Sequence, residues 1–227
     1  MKIITSSLKR YYQTMQRKYP DVLWFGDGSR REIALTFDDG PHPRDTPRVL
    51  EVLEKHQVRA TFFLIGSTVE GNPDLTKEIH ACGHQIGVHC YRHVPFFMEQ
   101  PARLRVQLER TRNSIATACN APPDTFCNVR PPYGAFTRNT LSLLTDWGYR
   151  LVMWSSIPQH WMQPINWSIQ QVLDEVFPGA VIVLHDGHGH GRKVAQIVDI
   201  IIPRLKALGF DFVTIEQMRE SNTGEQQ

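Results

Sequence analysis

The strongest constraint on the fold is a regular alternation that begins near residue 30 and runs almost to the end of the chain. Short apolar runs, rich in β-branched and aromatic residues, fall at about 33–37, 60–66, 85–89, 128–132, 150–156, 180–185 and 211–215. Such runs read as strands buried on both faces. Between them lie stretches with helical periodicity, at 46–57, 72–82, 100–119, 138–147, 168–177 and 193–208. Helix punctuation agrees. Asn72-Pro73 reads as an N-cap followed by proline in the first turn. Gly83, Gly148 and Gly209 sit just past helix ends, where a left-handed residue is wanted. This alternation implies parallel strands joined by right-handed crossovers. Two architectures satisfy it: a closed or nearly closed α/β barrel, and an open doubly wound sheet.

The placement of polar residues favours the barrel. Asp38 and Asp39 close the first run, His89 the third and His185 the sixth, while Arg130 and Trp154 come late in the fourth and fifth. In α/β barrels the C-terminal strand ends converge on one mouth and carry the chemistry. The expected fold is a distorted (β/α) barrel with about seven parallel strands over 31–218. Residues 1–30 are expected to form an N-terminal peripheral segment opening on a helix, and 219–227 a frayed tail.

With 227 residues, 41% hydrophobic and 21% charged, the composition is that of an ordinary globular chain. A net charge of +2 is too mild to suggest a nucleic-acid partner. The basic opening (Lys9, Arg10, Arg17, Lys18) reads as a solvated helix face. No segment has the length and apolarity of a signal peptide or a transmembrane span. The expectation is a cytoplasmic protein as the sequence stands, or a cell-envelope or secreted one if an export signal has been removed. The four cysteines, Cys82, Cys90, Cys119 and Cys127, contain no Cys-x-x-Cys pair, which argues against a cysteine zinc site. Cys119 and Cys127 are spaced to bridge a loop, but reduced thiols are expected.

The chemistry centres on Thr36-Phe37-Asp38-Asp39-Gly40. Adjacent carboxylates at the end of a buried strand disfavour each other's ionisation. A metal removes that conflict by taking one as a ligand, leaving the other to act as a base. His89 and His93, four residues apart, read as two rings on the same side of a helical turn. Together with a carboxylate they make a two-histidine, one-carboxylate set that leaves positions open for water and substrate. Such a set suits zinc and also accepts cobalt, nickel or iron. Each piece also has a plain reading: Asp-Gly before Pro41 as a turn, and Arg130-Pro131-Pro132 as a rigid loop.

Five segments in order carry a family resemblance: Thr36 to Gly40, His89 to His93, Arg130-Pro131-Pro132-Tyr133-Gly134, Trp154 to Trp161, and Leu184-His185-Asp186. Over about 31–218 the chain resembles the NodB-homology polysaccharide deacetylases of the fourth carbohydrate esterase family. The resemblance implies that Asp39, His89 and His93 hold a divalent metal, zinc foremost, with cobalt or nickel as alternatives. Asp38 would be the general base, Arg130 its orienting partner, and His185 the general acid that protonates the leaving amine. The backbone N–H of Tyr133 would stabilise the oxyanion. Leu184 and Trp154 would shape an acetyl pocket, with Pro131 and Trp161 also contacting substrate.

The chain departs from the family in two places. Cys90 stands where the family has Ser or Thr, and a thiol is the weaker hydrogen-bonding group. It is expected to pack in the loop, lowering metal affinity; approach to the metal is the alternative. The fourth segment, Trp154-Ser155-Ser156-Ile157-Pro158-Gln159-His160-Trp161, has none of the usual carboxylates. His160 is expected in the supporting position beside His185, which should titrate lower for want of a carboxylate neighbour. Among the other histidines, His188 and His190 read as a solvated loop, His42 as bordering the mouth, and His56, His80 and His84 as surface or boundary residues. Trp154, Trp161 and Trp167 are candidates to stack on sugar rings, and Trp147 to pack at a helix end.

Three functions remain in view. The first is an N-deacetylase acting on N-acetylglucosamine in a glycan such as chitin oligosaccharide or peptidoglycan. The second is an amidase of the same mechanism on a small or non-glycan N-acyl substrate. The third is a non-catalytic carbohydrate- or metal-binding relative.

Overall fold

The computed structural model of the chain describes residues 2–187 and 191–223. Its central strand is β1 (Glu32–Asp38), buried at every residue after Glu32. Around it run β2 (Thr61–Ile65), β3 (Gln85–Cys90), β4 (Asn128–Val129), β5 (Arg150–Leu151), β6 (Val181–His185) and β7 (Asp211–Phe212). The strand order is β5-β4-β3-β2-β1-β6, and all of these pairings are parallel. Just past β5, Ser156 bridges Ile182 of β6, and the N–H groups of Ser155 and Ser156 donate to Val181 O. This seam closes the sheet into a distorted barrel and excludes the open doubly wound alternative. The expected seventh strand joins the sheet off this path: β7 pairs in parallel with Glu32 and Ile33, at the start of β1.

The helices are α1 (Lys2–Lys18), α2 (Thr46–Lys55), α3 (Gly66–Gly71), α4 (Pro73–Ala81), α5 (Pro101–Cys119), α6 (Arg138–Asp146), α7 (Ile165–Glu175), α8 (Gly191–Ala207) and α9 (Ile215–Thr223). The longer ones bury one stripe each. In α5 this is Leu104, Leu108, Thr111 and Ile115, the spacing of a helix with one face on a core. Under the helices the strands pack large side chains, with Phe37 and Phe62 stacked at 4.9 Å. Each fully buried Phe or Leu contributes roughly 1.5–3 kcal/mol over its exposed state.

The fourth, fifth and seventh strands are shorter than their apolar runs. Pro131 and Pro132 have no N–H to extend β4, and Val152 leaves β5 to bridge Leu23. Residues 1–30 are not wholly peripheral, because Val22, Leu23 and Trp24 are buried. At the other end α9 continues as helix beyond residue 218, with Ile215 and Met218 buried. Asn72 occupies the N-cap of α4, but its amide donates back to Thr68 O at 2.9 Å rather than capping the helix. Gly83, Gly148 and Gly209 do take the left-handed conformation, at φ 76°, 78° and 79°. All four cysteines are free. Among the described residues no helix is long and apolar enough to cross a membrane.

Candidate active site

Asp38 is the last residue of β1 and pairs in register with His185, the last residue of β6. His89 lies near the end of β3, and Arg130 immediately follows β4. The strand tips thus bring the sequence-predicted groups to one mouth. There a cavity of about 740 Å³ is lined, among the described residues, by Asp38, Asp39, His89, His93, Tyr133, Trp154, Ile157, Trp161 and His185.

Nε2 of His89 and Nε2 of His93 each lie 3.3 Å from Asp39 Oδ1. Donors on a tetrahedral ion with bonds of about 2.0–2.1 Å stand roughly 3.3 Å apart. The Asp39, His89 and His93 donor atoms all fall within 4.8 Å of one another. His89 Nδ1 is 2.8 Å from Arg130 O, which fixes the ring and leaves Nε2 facing Asp39. The set therefore fits a small divalent ion. Burial works to raise the Asp39 carboxyl, but the His89 hydrogen bond and the charges of His89, His185 and His93 pull it below the ordinary carboxylate range. The two histidines do not share a helical turn. His89 is in a strand and His93 in the turn after it, with ring centroids 5.2 Å apart.

Arg130 is wholly buried, an expensive place for a charge unless it is paired. Its Nη1 donates to Asp38 Oδ1 and to Thr36 Oγ1, both at 2.7 Å. Its Nη2 donates to Met153 O at 2.9 Å, and its Cζ lies 4.1 Å from the Phe63 ring centroid. The Asp38 carboxyl is thus held from behind by a guanidinium that cannot turn to solvent. Thr36, which aligns this arginine, was not among the expected site residues, although it opens the Thr36-to-Gly40 segment.

His185 ends β6 and lines the cavity. Burial pulls its pKa below the ordinary histidine value, against the opposing charges of Asp38 and Asp39. His160 is wholly buried beside it, with ring centroids 5.2 Å apart, and meets Trp161 edge-on at 5.1 Å. His185 Nδ1 has no hydrogen-bond partner among the described residues. His160 therefore packs its ring beside that of His185. The serines of the fourth segment serve the barrel seam. Ser155 Oγ accepts from Val181 N at 2.9 Å, and Ser156 Oγ donates to Glu175 Oε2 at 2.7 Å. Gln171 Nε2 donates to Ile157 O, so α7 braces the whole segment.

Tyr133 takes φ 59° in the tight turn Pro132–Gly134. Its ring is 69% exposed and stands edge-on to His93 at 4.5 Å. Two expected substrate contacts do not line the cavity. Leu184 is wholly buried in the core, because neighbouring strand residues face opposite ways and His185 takes the mouth. Pro131 is buried behind the Tyr133 turn. Trp167, on α7, is exposed but also away from the cavity. Ile157 does line it and was not expected to; its one signal was an apolar residue between Trp154 and Trp161. Cys90 is buried and outside the ligand set, with burial raising its thiol well above the ordinary value against a hydrogen bond from the Val94 backbone. His84 is a core residue rather than a boundary one: 4% exposed, its Nδ1 accepts from Ala60 N at 3.2 Å. His188 and His190 lie outside the described residues.

A centre with three protein ligands and an open side is of the catalytic rather than the structural kind, which puts the chain among barrel proteins built for metal-assisted chemistry. A family model described as polysaccharide deacetylase matches residues 25–152. A chitooligosaccharide deacetylase of Bradyrhizobium is 32% identical over 90% of this chain and 95% of its own. A peptidoglycan-N-acetylglucosamine deacetylase of Bacillus cereus is 36% identical over 87% of this chain and 71% of its own. The solved structure of the Bc1960 peptidoglycan N-acetylglucosamine deacetylase superposes with a TM-score of 0.82 at 35% identity, covering 87% of this chain and 92% of that one. The chain belongs to the polysaccharide deacetylase family.

Proposed function

We propose that the protein is a zinc-dependent N-deacetylase acting on N-acetylglucosamine residues of a glycan, releasing acetate and leaving a free amine. The observation that carries this reading is the Asp38–His185 pairing across two adjacent strand tips, with the Asp39, His89 and His93 cluster beside it. Binding alone has no use for a carboxyl base and an imidazole acid facing one cavity. Asp39, His89 and His93 would hold a divalent ion, which would supply a nucleophile at neutral pH and Lewis acidity toward the acyl group. Asp38, kept oriented by Arg130, takes the proton of the attacking water. The Tyr133 N–H supports the developing oxyanion. His185 gives a proton to the departing nitrogen. Exposed Tyr133 and Trp161 flank the cavity, which favours a sugar chain lying across the mouth over a small enclosed amide.

The test is acetate release from N-acetylglucosamine oligomers by chelated protein, before and after zinc is restored. Zinc-dependent release that drops by about 10²- to 10⁴-fold in Asp38→Asn is the expected result. Stoichiometric zinc with no release from any such oligomer would count against the glycan.

A further inference from the structure

Asp186 follows His185 at the end of β6, is wholly buried, and takes no part in the steps above. Its Oδ2 accepts a hydrogen bond from Oγ1 of Thr46, the first residue of α2. That Oγ1 in turn accepts from the His42 N–H at 2.8 Å. A Cβ placed on Gly40 would lie 2.7 Å from both Asp186 carboxyl oxygens, so the carboxyl sits directly against the Gly40 backbone. The Asp186 N–H donates to Asp38 O at 3.3 Å. Gly40 to Thr46 is the link between the ligand Asp39 and α2, and Asp186 touches it at both ends. Asp39 itself is held at φ 76°, a conformation a non-glycine residue keeps only when its surroundings over-determine it. On the β2 side, Gly40 O accepts from Ile65 N at 3.0 Å and Thr68 Oγ1 at 2.8 Å. Packing alone does not account for an aspartate here. Its Oδ1 has no hydrogen-bond partner among the described residues, and a buried, unsatisfied acceptor costs stability.

We propose that Asp186 is a positioning residue: by gripping Gly40 and Thr46 it fixes the turn that aims Asp39 at the metal, and so sets metal affinity. This rests on the metal-dependent reading of the site. The experiment is calorimetric zinc titration of chelated wild type, Asp186→Ala, Asp186→Asn and Thr46→Val, each checked for folding by circular dichroism. Asp186→Ala and Thr46→Val are expected to bind zinc about 10- to 100-fold more weakly, as loss of a ligand's support does elsewhere. Asp186→Asn, which keeps the shape and an acceptor for Thr46, stays close to wild type. Saturating zinc restores turnover in all three. A purely structural role would lower the melting temperature and leave the affinity of the folded protein unchanged. Unchanged affinity in Asp186→Ala and Thr46→Val overturns the inference while leaving the metal site standing. Asp186→Asn falling as far as Asp186→Ala also overturns it, because charge rather than grip would then be acting. Wild type that binds no zinc overturns the metal reading itself. If Asp186→Ala does not fold, Thr46→Val decides.

Discussion

Arg130 shows what a site residue costs the molecule that carries it. Its charge is removed from solvent, and among the described residues Asp38, Thr36 and two carbonyl oxygens take the place of the lost water as hydrogen-bond acceptors. Deleting one partner of such a pair strands the other, typically at about 3–5 kcal/mol. Arg130→Met should therefore lower stability by about that much in urea unfolding, and adding Asp38→Asn should recover part of it. Asp38→Asn alone leaves the buried Arg130 cation without its counter-charge and should cost a similar amount. His84 makes a second prediction at this scale. Burial, aided by the Arg59 charge, lowers its pKa from 6.5 to about 4. The unfolded chain then binds the proton more readily than the folded one. His84's contribution is complete above pH 6.5 and is lost as pH falls from 6.5 toward 4, by about 3 kcal/mol in all. Urea unfolding of wild type and His84→Gln at pH 7 and pH 4.5 should show a smaller acid-induced loss in the variant. Equal losses would mean other groups control acid sensitivity.

At the level of elements, the turn Pro132–Gly134 joins the end of β4 to the cavity wall. Gly134 takes φ 64°, and a Cβ there would meet the Trp154 ring at 2.4 Å. Gly134→Ala should displace Trp154, costing about 1–3 kcal/mol and lowering kcat/KM more than it lowers zinc affinity. The elements also divide into those the sequence announces and those it does not. β1, β2, β3 and β6 stand out because their residues are apolar on both faces and flanked by periodic helices. β4, β5 and β7 are only two residues long each; prolines end β4 and a bridge outside the ladder follows β5, and an apolar run does not reveal where pairing stops. Asp38, Asp39, His89, Arg130 and His185 could be read as one site because each ends or follows a strand. Asp186, Thr36 and Thr46 could not, since their importance lies in which backbone they touch. Leu184 was misread for a related reason: its neighbour's role says nothing about which face of β6 it occupies.

For the molecule as a whole, the metal cluster ties β1 to β3 and the turn beyond it. An ion that binds only the folded chain stabilises it by mass action, about 2.7 kcal/mol at a hundredfold excess over Kd. For a domain of this size that is about 5–10 °C in melting temperature. A chelated sample should melt lower by this margin in scanning calorimetry and recover when zinc is added. No shift at saturating zinc would mean that the ligands do not close on an ion.

The ladder between β1 and β6 has a longer reach than its five paired residues suggest. Asp38 and His185 face each other as ladder partners, so their separation follows the inter-strand repeat of about 4.8 Å, set by backbone hydrogen bonds. Tyr133, Trp154, Ile157 and Trp161, which wall the cavity, all come from connections. A lineage of such proteins can therefore lengthen, shorten or rewrite those connections to reshape the cavity wall, while the spacing between Asp38 and His185 stays under the control of the sheet.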